Sequence, residues 1–271
     1  MEARGFEVVT LNADEKGYIN LEELEREVDE NTILVSIMYV NNEVGTVQPI
    51  EKMAEIIKSK NKNCIFHTDC VQAFGKHPIN GRHFDAISVS GHKIHCPKGV
   101  GVLYLRKGVR AKNLHFGGGQ EKGFRPGTEN TGSIVAMGLG AEIAKRDLEK
   151  NFEKVKAVKE KLMTICDILP DVYVNGDSEN GSPYILNLSF EGVKGEVLLH
   201  ALENYEIYVA TGSACSSRAK EKKKIVDYLI DGRGSSTVRF SFDCENTVEE
   251  AEKAIEVLKE QVPMLRMFQP R

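Results

Sequence analysis

The sequence predicts an α/β fold with a large domain over residues 1–140, built around a mainly parallel sheet, and a smaller α+β domain over residues 141–271. Three observations support this prediction. In the first half, short apolar runs alternate with segments of helical periodicity, which is typical of parallel strands joined by helices. Residues 134–166 then show an almost continuous helical pattern, and such a length suggests a connector between domains. Strand and helix patterns are mixed after that point.

The predicted strands of the first half are the runs at 31–40, 63–70, 84–90 and 99–106, with an amphipathic helix between the first two. Their continuous apolar character predicts burial on both faces of the sheet. Ligands of parallel sheets bind beyond the carboxyl ends of the strands, which meet at one edge. Polar side chains at or just beyond those ends are the candidates for a binding site: Asn42, Asp69, Gln72, Ser90, His92 and Lys93.

The second half begins with a glycine-rich segment at 115–133 that contains Pro126, which predicts a long loop. After the helix at 134–166, the runs PYILNLSF, IYVATGS and TVRFSF predict strands, and GEVLLHALEN predicts a helix. The last helix is expected to begin at a capping box, because Thr247 is followed three positions later by Glu250. These elements predict the smaller α+β domain.

The composition is that of a soluble globular protein, since 41% of the residues are hydrophobic, 28% are charged and the formal net charge is −4. The basic residues are dispersed, which argues against direct binding to nucleic acid or to a membrane surface. No apolar run reaches the roughly 20 residues of a membrane span, and the first residues lack a signal-peptide pattern, so we expect a cytoplasmic protein. The six cysteines have no C-x-x-C spacing and are expected to be free thiols.

The stretch SVSGHKIHCPKG, at 88–99, places a lysine between two histidines directly after a strand, and three interpretations are open. In the first interpretation the segment is a structural loop. In the second, the lysine forms a Schiff base with an aldehyde cofactor, and the neighbouring serine and histidine bind the phosphate of that cofactor. The third interpretation is a metal site, but H-x-x-H-C is an unusual zinc spacing and we expect no metal. Its candidate ligands are His67, Cys70, His92, His95 and Cys96.

The strand before this stretch favours the Schiff base. Asp69 lies at its end, in HTDCVQAFGK, and Gln72 follows. A pyridoxal cofactor needs a lysine, and it needs a carboxylate on its pyridine nitrogen so that the ring stays protonated and acts as an electron sink. Asp69 alone would most often be a turn or cap residue, but Asp69 and Lys93 on successive strands form the pair that this cofactor requires.

Longer motifs along the chain indicate a resemblance to a known family. The chain resembles cysteine desulfurases of the NifS/IscS type, which are pyridoxal-phosphate enzymes of the aminotransferase class V family, from its first residue to nearly its last. The motifs occur in the family's order: VNNEVGTVQPI, HTDCVQAFGK, SVSGHKIHCPKGVGVLYLRKG, HFGGGQEKGFRPGTENT, NLSF, ATGSACSS and TVRFSF. The resemblance implies the fold type I of pyridoxal-phosphate-dependent transferases, pyridoxal 5'-phosphate as cofactor, and conversion of L-cysteine to L-alanine with sulfur kept as an enzyme persulfide.

The resemblance also implies roles for the residues at the strand ends. Lys93 resembles the Schiff-base lysine, Asp69 the partner of the pyridinium nitrogen, and Gln72 the partner of the ring hydroxyl. Ser90 and His92 resemble the residues that hold the phosphate.

Four further residues correspond to family positions elsewhere in the chain. Thr128, in RPGT, resembles the residue that reaches the phosphate of the other subunit in the family's homodimer. Asn42 and Arg239 resemble the pair that binds the substrate carboxylate, and a guanidinium suits that task because its planar fork matches a carboxylate. Cys215, in TGSACSS, resembles the nucleophile, since a thiolate on a small polar loop can reach the substrate sulfur and then an acceptor. The other five cysteines are expected to be structural.

The resemblance implies L-cysteine as substrate and a sulfur-acceptor protein as partner, of a scaffold or tRNA-thiolation type, for iron–sulfur cluster, thio-cofactor or tRNA biosynthesis. In the family a further segment, with a phosphate-binding turn and a ring-stacking histidine, precedes the position of Met1. We therefore expect an incomplete large domain, from a truncated desulfurase or from a split enzyme with a separate N-terminal chain. Two alternatives stay open: another class V enzyme, such as a selenocysteine lyase or aminotransferase, and a non-catalytic fragment that needs an N-terminal partner.

Overall fold

Four strands in the first half of the chain form one sheet. They are β1 (Leu34–Met38), β2 (Ile65–Asp69), β3 (Ala86–Ser90) and β4 (Gly101–Leu105), and this is also their order in space. β1, β2 and β3 are parallel, while β4 runs antiparallel to β3. The prediction of a mainly parallel sheet is confirmed, and the exception is its last strand.

The computed structural model describes residues 1–211 and 234–268, together with Val226 and Leu229. The chain divides into two compact units. The four-strand unit comprises Glu25–Tyr39 and Pro49–Leu148, and the three-strand unit comprises Met1–Leu24, Val40–Gln48 and Glu149–Arg271. The division therefore lies at residues 148 and 149 rather than at the expected 140, and two early stretches belong with the C-terminal half.

In the four-strand unit, α2 (Ile50–Lys60) and α3 (Thr131–Arg146) are the long helices, while the short α1 (Leu21–Glu27) spans the limit between the two units. α2 forms because its apolar residues recur at helical spacing and make one buried stripe, which consists of Ile50, Met53, Ala54 and Ile57. Asn61 ends α2, and its carboxamide oxygen accepts from the backbone N–H groups of Asn63 and Cys64. That turn leads directly into β2.

The three-strand unit holds an antiparallel sheet of β5 (Val172–Asn175), β6 (Ile185–Phe190) and β7 (Thr237–Ser241), in that order. Every residue of β6 is buried. The core of this unit combines apolar residues of all three strands with buried faces of the helices. These helices are α4 (Leu148–Met163), α5 (Ile165–Ile168), α6 (Gly195–Glu203) and α7 (Val248–Met267).

For the second half of the chain, two expectations need revision and one is confirmed. The helix expected over 134–166 is interrupted at Asp147, which is the C-cap of α3 and follows its last residue, Arg146. Of the run IYVATGS, the described residues 207–211 form an isolated bridge between Ala210 and Arg239 and no strand. The capping box is confirmed, because Thr247 accepts from the Glu250 N–H and the Glu250 carboxylate accepts from the Thr247 N–H.

β5 was absent from the sequence prediction. It has only four residues, and it forms because β6 supplies an edge to pair with over Val172 to Asn175. Among the described helices, none combines the length and apolar character needed to cross a bilayer.

Candidate active site

Two strand ends define the first part of the candidate site, in the four-strand unit. Asp69 is the last residue of β2 and Ser90 is the last residue of β3. Asp69 is the register partner of Ser88 in the parallel pair, so the two strand ends lie side by side. One oxygen of the Asp69 carboxylate accepts from the N–H of Val71 at 2.8 Å, and this local bond orients the side chain.

A short 3₁₀ turn, Gly91–Ile94, follows β3 and contains two of the candidates. The Ser90 Oγ and the His92 Nδ1 are 2.8 Å apart, and Lys93 is the next residue along the turn. Gly91 fits closely there, because a Cβ at this position would lie 2.8 Å from the sulfur of Met137 and 2.8 Å from a methyl carbon of Val100. The turn therefore brings a hydroxyl and an imidazole into contact beyond the end of β3, and Lys93 follows them directly along the chain.

This set of groups fits a phosphorylated aldehyde cofactor with a basic ring nitrogen. Ser90 and His92 offer a hydroxyl and an imidazole for a phosphate, and Lys93 offers the primary amine for a carbonyl carbon. Asp69, at the end of the neighbouring strand, offers a carboxylate for a protonated ring nitrogen. Each group has the chemistry that the cofactor needs, and all four lie at the carboxyl edge of the same sheet.

Gln72 and Thr128 occupy different surroundings within the same unit. Gln72 is half-buried in the turn after β2, where the N–H of Ala73 donates to the carbonyl of Cys70. Thr128 is exposed on the loop before α3, and its carbonyl oxygen accepts from the Arg125 guanidinium at 3.4 Å. Gln72 thus shares the sheet edge with Asp69, whereas Thr128 lies on the surface of the loop.

A chain of polar side chains crosses the sheet beneath this edge, and sequence reasoning did not identify it. The His67 Nδ1 lies 2.8 Å from the Ser36 Oγ, and the His67 Nε2 lies 2.9 Å from the Ser88 Oγ. His67 points to the same face of β2 as Asp69, since the two are two residues apart. Burial lowers the pKa of His67, although the charge of Asp69 opposes this. The available signal was a polar residue at an inner position of each of three strand-forming runs: Ser36, His67 and Ser88.

The second part of the candidate site lies in the three-strand unit. The Arg239 Nη1 donates to the backbone carbonyl of Asn42 at 3.0 Å, so the structure brings these two candidates into contact. Burial lowers the pKa of Arg239, and the negative charge of Glu43 opposes that effect. Glu43 is itself buried. The guanidinium remains a cation at neutral pH, because its ordinary pKa is above about 12.

Cys215 lies outside the described residues. The five described cysteines have pKa values raised chiefly by burial, and for Cys70, beside Asp69, burial raises the pKa to about 12. A buried thiol of high pKa is a poor nucleophile. This agrees with a structural role for these five: Cys64, Cys70, Cys96, Cys166 and Cys244. In the described parts of the chain, no three His, Cys, Asp or Glu side chains are grouped as a metal site requires.

Comparison with known proteins gives consistent results along the whole chain. The family profile described as aminotransferase class-V matches residues 1–254. A cysteine desulfurase of Nostoc sp. is 39% identical over 277 residues, which cover 100% of this chain and 68% of the relative. The cysteine desulfurase IscS of Pectobacterium carotovorum is 40% identical over 276 residues, which cover 100% of this chain and 67% of the relative.

A solved structure described as a NifS-like protein superposes with a TM-score of 0.90 at 37% identity. The superposition covers 97% of this chain and 70% of that one. The similarity therefore includes both compact units and is not limited to the strand ends that carry the candidate residues.

Proposed function

The chain belongs to the aminotransferase class V family, and from this premise we propose that it is a cysteine desulfurase that converts L-cysteine to L-alanine. The observation that carries the proposal is the grouping of Lys93, Ser90 and His92 beside Asp69 at one sheet edge. The two curated relatives described above are both named cysteine desulfurase. The family's cofactor is pyridoxal 5'-phosphate, which the donor set at this edge fits.

When bound, the cofactor withdraws electrons from the substrate Cα and so makes its bonds labile. The chain's own residues hold it in place. Lys93 attaches it covalently and moves a proton at the substrate carbon, and Asp69 keeps a proton on the ring nitrogen. Ser90 and His92 donate to the phosphate, and Gln72 donates to the ring hydroxyl. Thr128 reaches the phosphate in a partner subunit, for which its exposure is suitable.

The substrate carboxylate is bound by Arg239 and Asn42. A guanidinium forms two parallel hydrogen bonds with a carboxylate, and Asn42 adds a carboxamide beside it. The contact between Arg239 and Asn42 supports a shared task. These two residues fix the carboxylate end of L-cysteine and so orient the bound substrate.

Cys215 is the nucleophile. Its thiolate attacks the sulfur of the substrate, the carbon–sulfur bond breaks, and the electron pair of that bond returns to the carbon that becomes the methyl group of alanine. The sulfur stays on Cys215 as a persulfide and then passes to an acceptor protein of the scaffold or tRNA-thiolation type. This step serves iron–sulfur cluster, thio-cofactor or tRNA biosynthesis in the cytoplasm.

The protein acts as a homodimer, or together with a separate N-terminal chain. The support is an open groove of about 1410 Å³ in the four-strand unit, lined largely by apolar side chains of β3, β4 and α3. Val102, Leu103 and Tyr104 of β4 are exposed there. Folded proteins rarely leave an edge strand and an apolar surface of this extent unprotected, and such a surface marks an interaction site.

The test is the reaction of the full chain, loaded with pyridoxal phosphate, with L-cysteine. We expect L-alanine in solution and a persulfide on the peptide that contains Cys215, both detected by mass spectrometry. Cys215→Ala should lose the persulfide and sulfide release while it retains bound cofactor, and Cys244→Ala serves as the matched control. Full sulfide release by Cys215→Ala would contradict the mechanism. Release of selenide from L-selenocysteine without activity on L-cysteine would favour the lyase alternative.

A further inference from the structure

Three polar side chains are buried beside one another in the three-stranded sheet. Asn175 and Asn187 are 5% and 4% exposed, and Ser189 is fully buried. The Asn175 Nδ2 donates to the Asn187 Oδ1 at 2.7 Å and to the Ser189 Oγ at 2.9 Å, and the Ser189 Oγ donates to the Asn175 Oδ1 at 3.1 Å. We call these three residues the polar row. Apolar residues of similar shape would stabilise a core about equally well, so the polar row indicates a task beyond packing.

The polar row continues into the candidate carboxylate site. Asn187 is the register partner of both Asn175 on β5 and Arg239 on β7, so the three side chains share one face of the sheet. The Asn187 Nδ2 donates to the carbonyl of Glu43 at 3.1 Å, while the Arg239 Nη1 donates to the carbonyl of Asn42 at 3.0 Å. Two consecutive carbonyls of one turn are thus held by two cross-strand neighbours.

The turn itself is closed by other bonds. The Asn41 Oδ1 accepts from the N–H groups of Glu43 and Val44, and the Asn41 carbonyl accepts from the N–H of Gly45. Gly45 has a φ of 75°, the left-handed region that favours glycine. The backbone donors are therefore used within the turn, and the carbonyls of residues 42 and 43 depend on Asn187 and Arg239.

The orientation of the Asn187 amide is determined by its neighbours. Its Oδ1 accepts from Asn175, so its Nδ2 faces the Glu43 carbonyl. Within the described chain, no hydrogen bond engages the Asn42 carboxamide or the buried Nε of Arg239. One oxygen of the buried Glu43 carboxylate is also without a partner there. The turn is held firmly, while the Asn42 carboxamide and the Arg239 Nε, which can donate to a carboxylate ligand, stay available.

We propose that Asn187 is a positioning residue for substrate binding: it holds the Asn42–Glu43 turn against Arg239, so that the Asn42 amide and the guanidinium meet the substrate carboxylate together. The inference rests on the proposed role of Asn42 and Arg239. Asn175 and Ser189 act through Asn187, because they hold its amide in the required orientation.

The decisive variant is Asn187→Asp, which keeps the shape of the side chain but replaces its donor with an oxygen that repels the Glu43 carbonyl. We expect the KM for L-cysteine to rise roughly 10–100-fold, with kcat changed less than about threefold and bound cofactor unchanged. Ser189→Ala should raise the KM less, since it leaves the bond to Glu43 in place, and it serves as the second variant if Asn187→Asp does not fold. Asn204→Asp, an exposed substitution in the same unit, is the matched control.

A cycle with Arg239→Ala separates positioning from a general loss of structure. In the Arg239→Ala background, Asn187→Asp should raise the KM by less than about twofold, because the group that it positions is gone. An equal rise in both backgrounds, or no rise in the wild-type background, would overturn the proposal.

Amide hydrogen exchange gives a readout that does not depend on catalysis. Peptides covering residues 40–48 should exchange faster in Asn187→Asp than in the wild type, while Asn204→Asp should match the wild type. If the wild type forms no alanine from L-cysteine, the proposed desulfurase function fails, and unchanged exchange in this segment would separately refute the positioning role of Asn187.

Discussion

The two sheets of this protein differ in how far their own unit covers them. Every residue of β6 in the three-stranded sheet is buried, whereas four of the five residues of β4 in the four-stranded sheet are exposed. The two parts of the candidate site differ in the same way. Arg239 and Asn42 lie among side chains that hydrogen-bond to one another, while His92 is exposed and Lys93 is half-buried on a short turn.

This difference indicates two kinds of site. The candidate carboxylate site lies within one unit, and the hydrogen bonds of neighbouring side chains preorganise its geometry. The candidate cofactor edge is the carboxyl edge of the four-stranded sheet, with Asp69, Ser90, His92 and Lys93. These groups have few contacts with one another, so we expect the final geometry of this edge to depend on what binds there. Substitutions in the three-stranded sheet should therefore act through stability and KM, and substitutions at the cofactor edge through chemistry.

The largest expected effect tests the cofactor edge. Lys93→Ala should reduce alanine formation by about 10²–10⁴-fold, because it removes both the covalent attachment and the proton-transfer group. Borohydride reduction of the loaded wild type, followed by peptide mapping, should place the cofactor label on Lys93. Lys98→Ala is the matched control, and a label on Lys98 or on Lys76 would show that the edge has been assigned incorrectly.

Two leucine-to-alanine substitutions, one in each sheet, compare the two sheets directly. Leu188→Ala in β6 should lower the free energy of unfolding by about 2–5 kcal/mol, because Leu188 is 0% exposed and its loss leaves a cavity. Leu103→Ala in β4 should cost less than about 1 kcal/mol, since Leu103 is 54% exposed. Urea unfolding of both variants measures the difference, and similar costs would mean that β4 is covered by a stable partner in solution.

Two buried basic side chains, His77 and Lys159, extend the comparison to pH. Burial lowers the pKa of His77 in the four-strand unit from 6.5 to about 4. Between these values the unfolded chain binds the extra proton, so stability is lost as the pH falls from 6.5 to about 4. The expected loss is about 3 kcal/mol. His77→Gln should remove this dependence in urea unfolding measured across that range, and an unchanged profile would rule out His77 as its source.

Lys159 in the three-strand unit should make the stability of the protein depend on pH in the alkaline range. Burial lowers its pKa from 10.5 to about 8, against the attraction of Asp177. Between about pH 8 and 10.5 the unfolded chain holds more protons, so stability should rise with pH there. Lys159→Met should flatten this rise, measured by urea unfolding, with Lys156→Met as the exposed control. A rise that persists in Lys159→Met would assign it to another group.

The smallest expected effect on stability comes from removing the N-cap side chains of two helices. Thr247→Ala at α7 should cost about 1 kcal/mol, because it removes one half of the capping box. Asn130→Ala at α3 should cost less, since its cap is a single 3.3 Å bond to the Ser133 N–H with no reciprocal bond. Thermal unfolding with both variants checks the order, and the reverse order would show that cap geometry alone does not set the cost.

Features that depend on local pattern could be predicted from the amino-acid sequence. The four strands of the first sheet follow from short apolar runs, and the capping box follows from two residues three positions apart. The sequence also placed Asp69 and Ser90 at strand ends, and parallel strands necessarily bring such ends to one edge. The catalytic and binding roles assigned to the candidate residues stay predictions.

Features that depend on pairing between distant segments became visible in the folded protein. β5 is too short to be recognised without β6 as a partner, and the His67 chain needs Ser36 and Ser88 on neighbouring strands. Asn187 in NLSF gives no sign in sequence that it bonds to the Glu43 carbonyl 144 residues away. Register between strands sets these contacts, and register is a property of the folded sheet rather than of any single segment.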